Sequence, residues 1–258
     1  MTGHESLKKS FTFRFYAELN DFLPDNRKQV SFIQSFKTPI TVFDTLISLK
    51  IPVSEVDMVL VNGESVKLSH SLNENDYILV YPVFESLDIS SNSVIREKPI
   101  RISKFILDCH LGKLARYLRM LGFDTCYENY LEDKKIINIA KEEGRIILTR
   151  DKLLLRSKEV YRGYYVRSID KDEQINEIVK KFDLYSQFKP FSRCMVCNCP
   201  IEIVDNEIAK DLVSDDILQV FDQIYYCKNC DKPYWKGTHY ERMKKFIEDL
   251  SLKLKDIN

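Results

Sequence analysis

KFILDCHLGKLARYLRMLGFDTCY, residues 104–127, holds a complete strand–helix–strand unit. The apolar run Phe105-Ile-Leu107 reads as a buried strand, and Asp108 closes it. Leu111, Leu114, Ala115, Leu118 and Leu121 then recur at helical spacing as an apolar stripe. Lys113, Arg116 and Arg119 fall on another side and make a cationic face, and Gly122 supplies the stop before the next strand at Phe123–Tyr127. Working outward, apolar runs at Arg145–Thr149 and Tyr164–Val166 alternate with helical stretches at 133–143 and 171–182. Such a βαβα rhythm predicts a parallel sheet covered by helices.

In open parallel sheets, sites form outside the carboxyl ends of the strands. Asp108 stands at one such end, and Asp151 follows the third strand in GRIILTRDKLLL, residues 144–155. Asp133 opens the helix EDKKIINIAKEEG, residues 132–144, and can lean toward the same edge. Three carboxylates on one edge repel one another unless a divalent cation holds them, and hard cations such as Mg²⁺ or Mn²⁺ prefer oxygen ligands. The expected chemistry is metal-assisted phosphodiester hydrolysis, with Lys113, Arg116 and Arg150 contacting phosphate. Other readings stay open: Asp133 as a helix N-cap, and Asp151 as the cap of the Lys152–Ser157 turn. Asp124 rivals Asp133 for the third position, although a strand start suggests the opposite edge. A Cys109–His110 thiol–imidazole pair is disfavoured, because neighbouring side chains on a strand end point apart.

Four of the seven cysteines have metal spacing: Cys194-x2-Cys197 and Cys227-x2-Cys230. Two such knuckles predict a closed, structural Zn²⁺ ribbon, with Cys199 as the spare thiol. Cys109 and Cys126, in apolar strand contexts, are expected to be core thiols. Beyond the ribbon, Thr238 and Glu241 read as a capping box, and Tyr240, Met243, Phe246, Ile247 and Leu250 as the apolar face of a terminal helix. Tyr234, Trp235, Lys236, His239 and Arg242 put rings and cations close together, a composition that can stack bases and neutralise phosphate. Packing of the ribbon is the other reading of Trp235.

Toward the N-terminus, Phe11, Phe13 and Phe15 alternate with polar residues as a strand with one buried face, and Val30–Phe36 reads as its hairpin partner. Thr41 and Asp44 make a capping box for a short helix carrying Val42, Leu46 and Leu49. Strands at Val56–Val61 and Tyr77–Val83 follow, with the turn dipeptide Asn62-Gly63 after the first. The order is ββαββ.

The chain has 258 residues, with 44% hydrophobic and 30% charged, which predicts folded domains and more than one of them. Its seven glycines make no phosphate-cradling loop, excluding Walker-type NTPases and Rossmann dehydrogenases. No apolar run approaches a membrane span and the start lacks a signal-peptide pattern, so a cytoplasmic location is expected. Net charge is zero, but residues 101–189 carry 19 basic and 14 acidic side chains, a surplus of 5 (19 − 14), while residues 1–85 carry 8 and 11. A basic middle segment hints at a polyanionic partner.

LVNGESV, residues 60–66, and LNENDYILVYPVF, residues 72–84, resemble ubiquitin-like β-grasp domains related to sulfur carriers. That family's carrier chemistry needs a free Gly-Gly end; here the last strand runs on through Phe84, which leaves a docking or substrate-presenting module with a possible protein partner. DCHLGKLARYLRMLGFDT, LEDKKIINIAKEEGRIILTRD and the cysteine-containing tail, roughly residues 104–245, resemble the PIN-like RNase family known as the mut-seven C-terminal domain, which often carries such a β-grasp domain. The resemblance implies a metal-dependent ribonuclease acting on RNA, taken as single-stranded, whose acids fall on Asp108, Asp133 and Asp151, with Thr149 and Arg150 in the third motif. Cys199 departs from the family's usual glycine after the second zinc cysteine. The expected organisation is a β-grasp domain at 1–85, a linker at 86–100, a PIN-like domain at 101–189, and a zinc ribbon with helix at 190–258. The competing expectation is an inactive nucleic-acid-binding adaptor using the basic helix and ribbon.

Overall fold

The structure is a computed structural model and describes residues 8–82 and 103–255, with side chains to residue 252. The expected linker at 86–100 lies outside the described residues. By contacts the chain divides into two compact units. One joins the β-grasp residues to Glu132–Tyr165, and the other joins the segment up to Leu131 to Val166 and the residues after it.

In the first unit, β1 (Lys8–Phe15) alternates as its sequence requires, with Phe11, Phe13 and Phe15 buried. It pairs antiparallel with β2 (Phe32–Lys37) and parallel with β5 (Tyr77–Pro82). β3 (Val56–Val61) and the short β4 (Glu64–Ser65) complete a sheet of order β2-β1-β5-β3-β4. The predicted capping box is present at α1 (Val42–Ser48): Asp44 N–H donates to Thr41 Oγ1 at 3.2 Å, and Thr41 N–H donates back to Asp44 Oδ2 at 3.2 Å. The β3–β4 turn puts Asn62 at φ 51° and Gly63 at φ 93°, a left-handed pair that favours Asn-Gly. Phe13, Leu19, Val42, Leu46, Ile51, Val59, Ile78 and Val80 are fully buried, each contributing about 1.5–3 kcal/mol for the larger side chains. The β1–β2 connection is not a tight hairpin, because 3-10 turns at Ala17–Phe22 and Asp25–Arg27 lie between the strands.

The same unit holds α3 (Asp133–Glu143), β8 (Ile146–Thr149), α4 (Lys152–Leu155) and β9 (Gly163–Tyr165), numbered in chain order after the elements of the second unit. β8 and β9 are parallel and in register from Ile147 and Gly163. The β-grasp sheet grips this segment. Glu55, buried at the end of a 3-10 turn, accepts the Tyr165 N–H at 2.6 Å. Lys152 Nζ donates to Asp21 O at 2.7 Å and sits 5.5 Å and 5.0 Å from the ring centroids of Phe22 and Tyr165. Arg156 Nε donates to Lys50 O at 2.9 Å. Polar ties and an edge-on Phe22–Tyr165 contact thus hold the β-grasp residues to β9 and α4.

In the second unit, β6 (Lys104–Leu107) and β7 (Asp124–Cys126) are parallel, joined through α2 (Gly112–Met120). α5 (Lys171–Lys181) packs on α2. A three-stranded ribbon sheet follows, β10 (Glu202–Val204), β11 (Ile224–Cys227) and β12 (Lys232–Tyr234), with α6 (Asn206–Leu212) and α7 (Asp215–Val220) inserted between its first two strands. Those two short helices were not expected. α8 (Thr238–Lys255) takes Thr238 as its first helical residue and not as the expected cap, because the Glu241 N–H donates to Gly237 O at 3.1 Å; it stacks Phe246 on Tyr117 of α2 at 4.9 Å. The fold is thus mixed: a ubiquitin-like α+β sheet, a parallel α/β domain with helices, and four close cysteines that fit a zinc ribbon. No helix among the described residues is long and apolar enough to cross a membrane.

Candidate active site and metal centre

Two aspartates end parallel strands in the same way. Asp108 follows β6, is 5% exposed, and its Oδ1 accepts the His110 N–H at 2.8 Å, opening a 3-10 turn. Asp151 follows β8 after Arg150, and its Oδ1 accepts the Leu153 N–H at 2.7 Å, opening α4. In both, a carboxylate takes the main-chain donor two residues on, which fixes its rotamer and holds it at the carboxyl edge of its strand. The capping role expected for Asp151 is present. Thr149, which the resemblance puts in the third motif, is fully buried, and its Oγ1 accepts the Asp151 N–H at 2.8 Å. It supports Asp151 from behind.

Asp133 is exposed in the first turn of α3, where Glu132 is the N-cap and makes no side-chain cap bond. Its proposed capping role is corrected accordingly. The rival Asp124 is excluded by geometry. In the β6–β7 register it lies opposite Lys104, at the start of the strand that Asp108 ends. Its carboxylate is held there by Asn198 Nδ2 at 2.8 Å and by the Arg193 guanidinium at 3.8 Å.

The four predicted zinc cysteines converge. Their Sγ atoms all lie within 4.8 Å of one another, and this is the group of close metal-ligating side chains found among the described residues. A tetrahedron with Zn–S bonds of ~2.3 Å has S···S edges of about 3.8 Å. Cys194–Cys230 at 3.8 Å and Cys197–Cys227 at 3.4 Å match that size. Burial opposes ionisation of Cys197, yet the Cys199 N–H and the neighbouring thiols bring it down to about 6. Its bond to Cys197 pushes Cys230 up to about 12. Cys197 thus ionises readily while burial, for Cys227, and the bond to Cys197, for Cys230, hold those two thiols up, and a divalent cation would replace their protons. Cys199 stands outside the quartet, as expected, and its carbonyl accepts the Cys194 N–H at 2.8 Å. The left-handed residue of the knuckle is Asn198, φ 72°, mirrored by Asp231, φ 54°, after Cys230. Short polar side chains tolerate that conformation, so position 199 has no need of glycine.

A family model described as Mut7-C RNAse domain matches residues 103–247, more than half of the chain. The chain belongs to this family. A second model, described as Mut7-C ubiquitin, matches residues 8–88. A human relative described as exonuclease mut-7 homolog is 32% identical over 107 residues, 39% of this chain. The match spans 12% of that relative's length. No solved structure shows a significant match. The family and the relative are both described as nucleases.

In this Mut7-C chain a groove of about 500 Å³ lies beside the Asp108 turn, lined by Gly112, Lys113, Arg116, Arg119, Tyr127 and Asn129 with the knuckle residues Met195 and Val196. Arg116 is exposed in it. Lys113 is engaged: its ammonium meets Asp172 Oδ1 at 2.8 Å, and that hydrogen bond holds the lysine above its ordinary range and the aspartate below 3.8. Arg119 corrects the expected cationic face. It is 4% exposed, and its guanidinium donates to Thr125 O, Val196 O, Met195 O and Tyr127 O at 2.9, 2.7, 3.3 and 3.4 Å. Helical spacing put it near Arg116, but four main-chain acceptors from β7 and the knuckle draw it inward.

Tyr127 and Asn129 were missed. The Tyr127 hydroxyl donates to Cys109 O at 3.0 Å, bracing the turn that Asp108 opens. Only glycine at 112 permits this, since a Cβ there would lie 2.6 Å from that hydroxyl. Cys109 is exposed and Cys126 half-buried, correcting both as core thiols: the Asp108 turn takes the chain out of the sheet before Cys109. Of the other expected substrate contacts, Arg150 is half-buried, Trp235 is half-buried, and His239 and Arg242 are exposed on or beside α8.

Proposed function

We propose that the chain is a metal-dependent ribonuclease that hydrolyses phosphodiester bonds of single-stranded RNA. The observation that carries this reading is the pair of strand-end aspartates, Asp108 and Asp151, fixed by the same main-chain bond in a member of a nuclease family. Asp108, Asp133 and Asp151 offer the hard oxygen donors that suit Mg²⁺ or Mn²⁺. When bound, the ion supplies an activated water and neutralises charge on the attacked phosphate. The residues themselves do the positioning. Asp108 and Asp151 are pre-set by their turns, Thr149 holds the Asp151 main chain, and Arg116, exposed in the groove beside the Asp108 turn, meets phosphate, with Lys113 and Arg150 as further cations of the reading. Cys194, Cys197, Cys227 and Cys230 would hold Zn²⁺ through four sulfur ligands, which would leave it a structural role. Free thiols beside a thiolate metal site suit a reducing compartment, in keeping with the cytoplasm.

Purified protein with Mn²⁺ should cleave single-stranded RNA, and Asp108→Asn should abolish cleavage while keeping its zinc and its melting temperature. Equal cleavage by Asp108→Asn would refute the assignment. RNA binding without cleavage by either protein would favour the adaptor reading.

A further inference from the structure

Wholly within the second unit, the ribbon sheet, its first knuckle and α8 enclose a cavity of about 190 Å³. Five aromatic rings line it, from Phe191, Tyr225, Tyr234, Trp235 and Tyr240. Arg193 and Lys236 also contribute, and no carboxylate does. We propose that this cavity is a nucleobase pocket, which takes one unpaired base of a single-stranded RNA by stacking and places Lys236 near its phosphate.

The chemistry of the walls decides the ligand class. Rings stack on any base face, and cations without carboxylates favour a ligand that is both aromatic and anionic. Typical small-molecule sites run to about 300–1,000 Å³, so this cavity suits a single ring system. Lys236 is exposed, 6.0 Å from the Tyr225 ring centroid, and has no carboxylate partner among the described residues. Arg193 is spent on the Asn198 and Gly122 carbonyls and on the Asp124 carboxylate outside the cavity, which makes Lys236 the cation left for phosphate.

The cavity is built, not a packing fault. Phe191 sits at φ 59°, a left-handed conformation that a bulky residue rarely adopts, held by its N–H bond to Met120 O at 2.9 Å. That backbone sets its ring 4.6 Å from Tyr240. Gly237 backs the indole of Trp235, where a Cβ would come within 3.1 Å of Nε1. Tyr234 ties the wall to the metal centre through its hydroxyl, 3.0 Å from Cys194 Sγ. Strained backbone that positions a side chain is found at ligand sites more than elsewhere.

The inference rests on RNA as the substrate class proposed above, and its test separates the two. Trp235 is the single tryptophan, so indole emission, excited selectively over the tyrosines, reports on this pocket. The zinc-loaded full chain, without added Mg²⁺ or Mn²⁺, is titrated with a short oligoadenylate and with an abasic ribose-phosphate strand of equal length. Binding is followed in parallel by anisotropy of labelled strands. The oligoadenylate should change Trp235 emission saturably and the abasic strand should not. Tyr240→Leu, which keeps apolar volume but removes the ring, should weaken oligoadenylate binding about tenfold, with Phe191→Leu as the companion variant. Equal emission changes from both strands would mean phosphate contact only and overturn the pocket. Oligoadenylate binding with no change in Trp235 emission would overturn the pocket while leaving the nuclease reading intact. Failure of every strand to bind, both without Mn²⁺ and after Mn²⁺ is added, would overturn both.

Discussion

Arg119→Met should cost this protein about 3 kcal/mol, and it should loosen the zinc knuckle before anything else. The substitution keeps an unbranched apolar stem in a site only 4% exposed and deletes the guanidinium. Of the four carbonyls that group reaches, those of Thr125 at 2.9 Å and Val196 at 2.7 Å are at full-strength distance, while those of Met195 and Tyr127 at 3.3 and 3.4 Å are stretched. Hydrogen bonds to a charged group contribute roughly 1.5–3 kcal/mol each, so the two short ones give about 3–6 kcal/mol. Desolvation opposes part of that, since burial pulls the guanidinium pKa down. The lower end is the better expectation, equivalent to a fall in melting temperature of about 6–12 °C. Urea titration measures the free energy, and the rate of zinc release to a chelator measures the local effect, because Met195 and Val196 are the residues between Cys194 and Cys197. Arg119→Lys should recover little, since one ammonium cannot span acceptors on β7 and on the knuckle. A loss below about 1 kcal/mol with unchanged zinc release would refute the strut reading and return Arg119 to the cationic groove.

Cys227→Ser should lose the single zinc per chain and become protease-sensitive after about residue 190, whereas Cys199→Ser should retain the metal; atomic absorption of the two purified variants decides the ligand set. Asp172 is held below its ordinary value of 3.8 by bonds from Lys113 and Tyr117. Its contribution to stability is therefore present above that value and lost as pH falls through the lowered one. Asp172→Asn should flatten the acid limb of the stability profile at low salt, and an unchanged limb would contradict the pairing. Phe22→Ala removes one ring from the cage around Lys152 and should speed hydrogen exchange in β9 and α4 more than in β7, by mass spectrometry of peptic peptides; uniform exchange would show that the β-grasp contact does not brace this segment.

Periodicity made most of the elements legible, because burial on one face is a local property. Phe11, Phe13 and Phe15 point inward as their alternation requires, α3 spans Asp133–Glu143 as expected, and Thr41 with Asp44 caps α1. The cysteine quartet was equally legible, since ligand type and spacing belong to the sequence itself. Arg119 was misread because helical spacing gives a residue its angle on the helix but not what lies across from it. The acceptors that bury Arg119 come from Met195 and Val196, far along the chain. Glu55, Asp21 and Phe22 were passed over for the same reason, as their partners Tyr165 and Lys152 are more than a hundred residues away. The two helices inside the ribbon, α6 and α7, are too short for a periodic signal to stand out.

Each proposed acidic strand end has its own brace, and each brace leads back to a part of the chain that carries no carboxylate of the site. Behind Asp108, the Tyr127 hydroxyl holds Cys109 O, while Tyr127 O and the knuckle carbonyls converge on Arg119. The zinc knuckle thereby bears on the Asp108 turn through one guanidinium. Behind Asp151, the next residue is Lys152, pinned by Asp21 O and two rings, and β9 beside its strand is held by Glu55. The β-grasp sheet thereby bears on the Asp151 turn through one ammonium. A carboxylate that must meet a cation at fixed geometry tolerates little wander, because misplacement of about 1 Å can cost a hundredfold in rate. Short turns of three and four residues supply little rigidity by themselves. The ribbon and the β-grasp domain are in this view the supports that make two such turns serviceable, which is why their loss should be felt first at the aspartate each one backs.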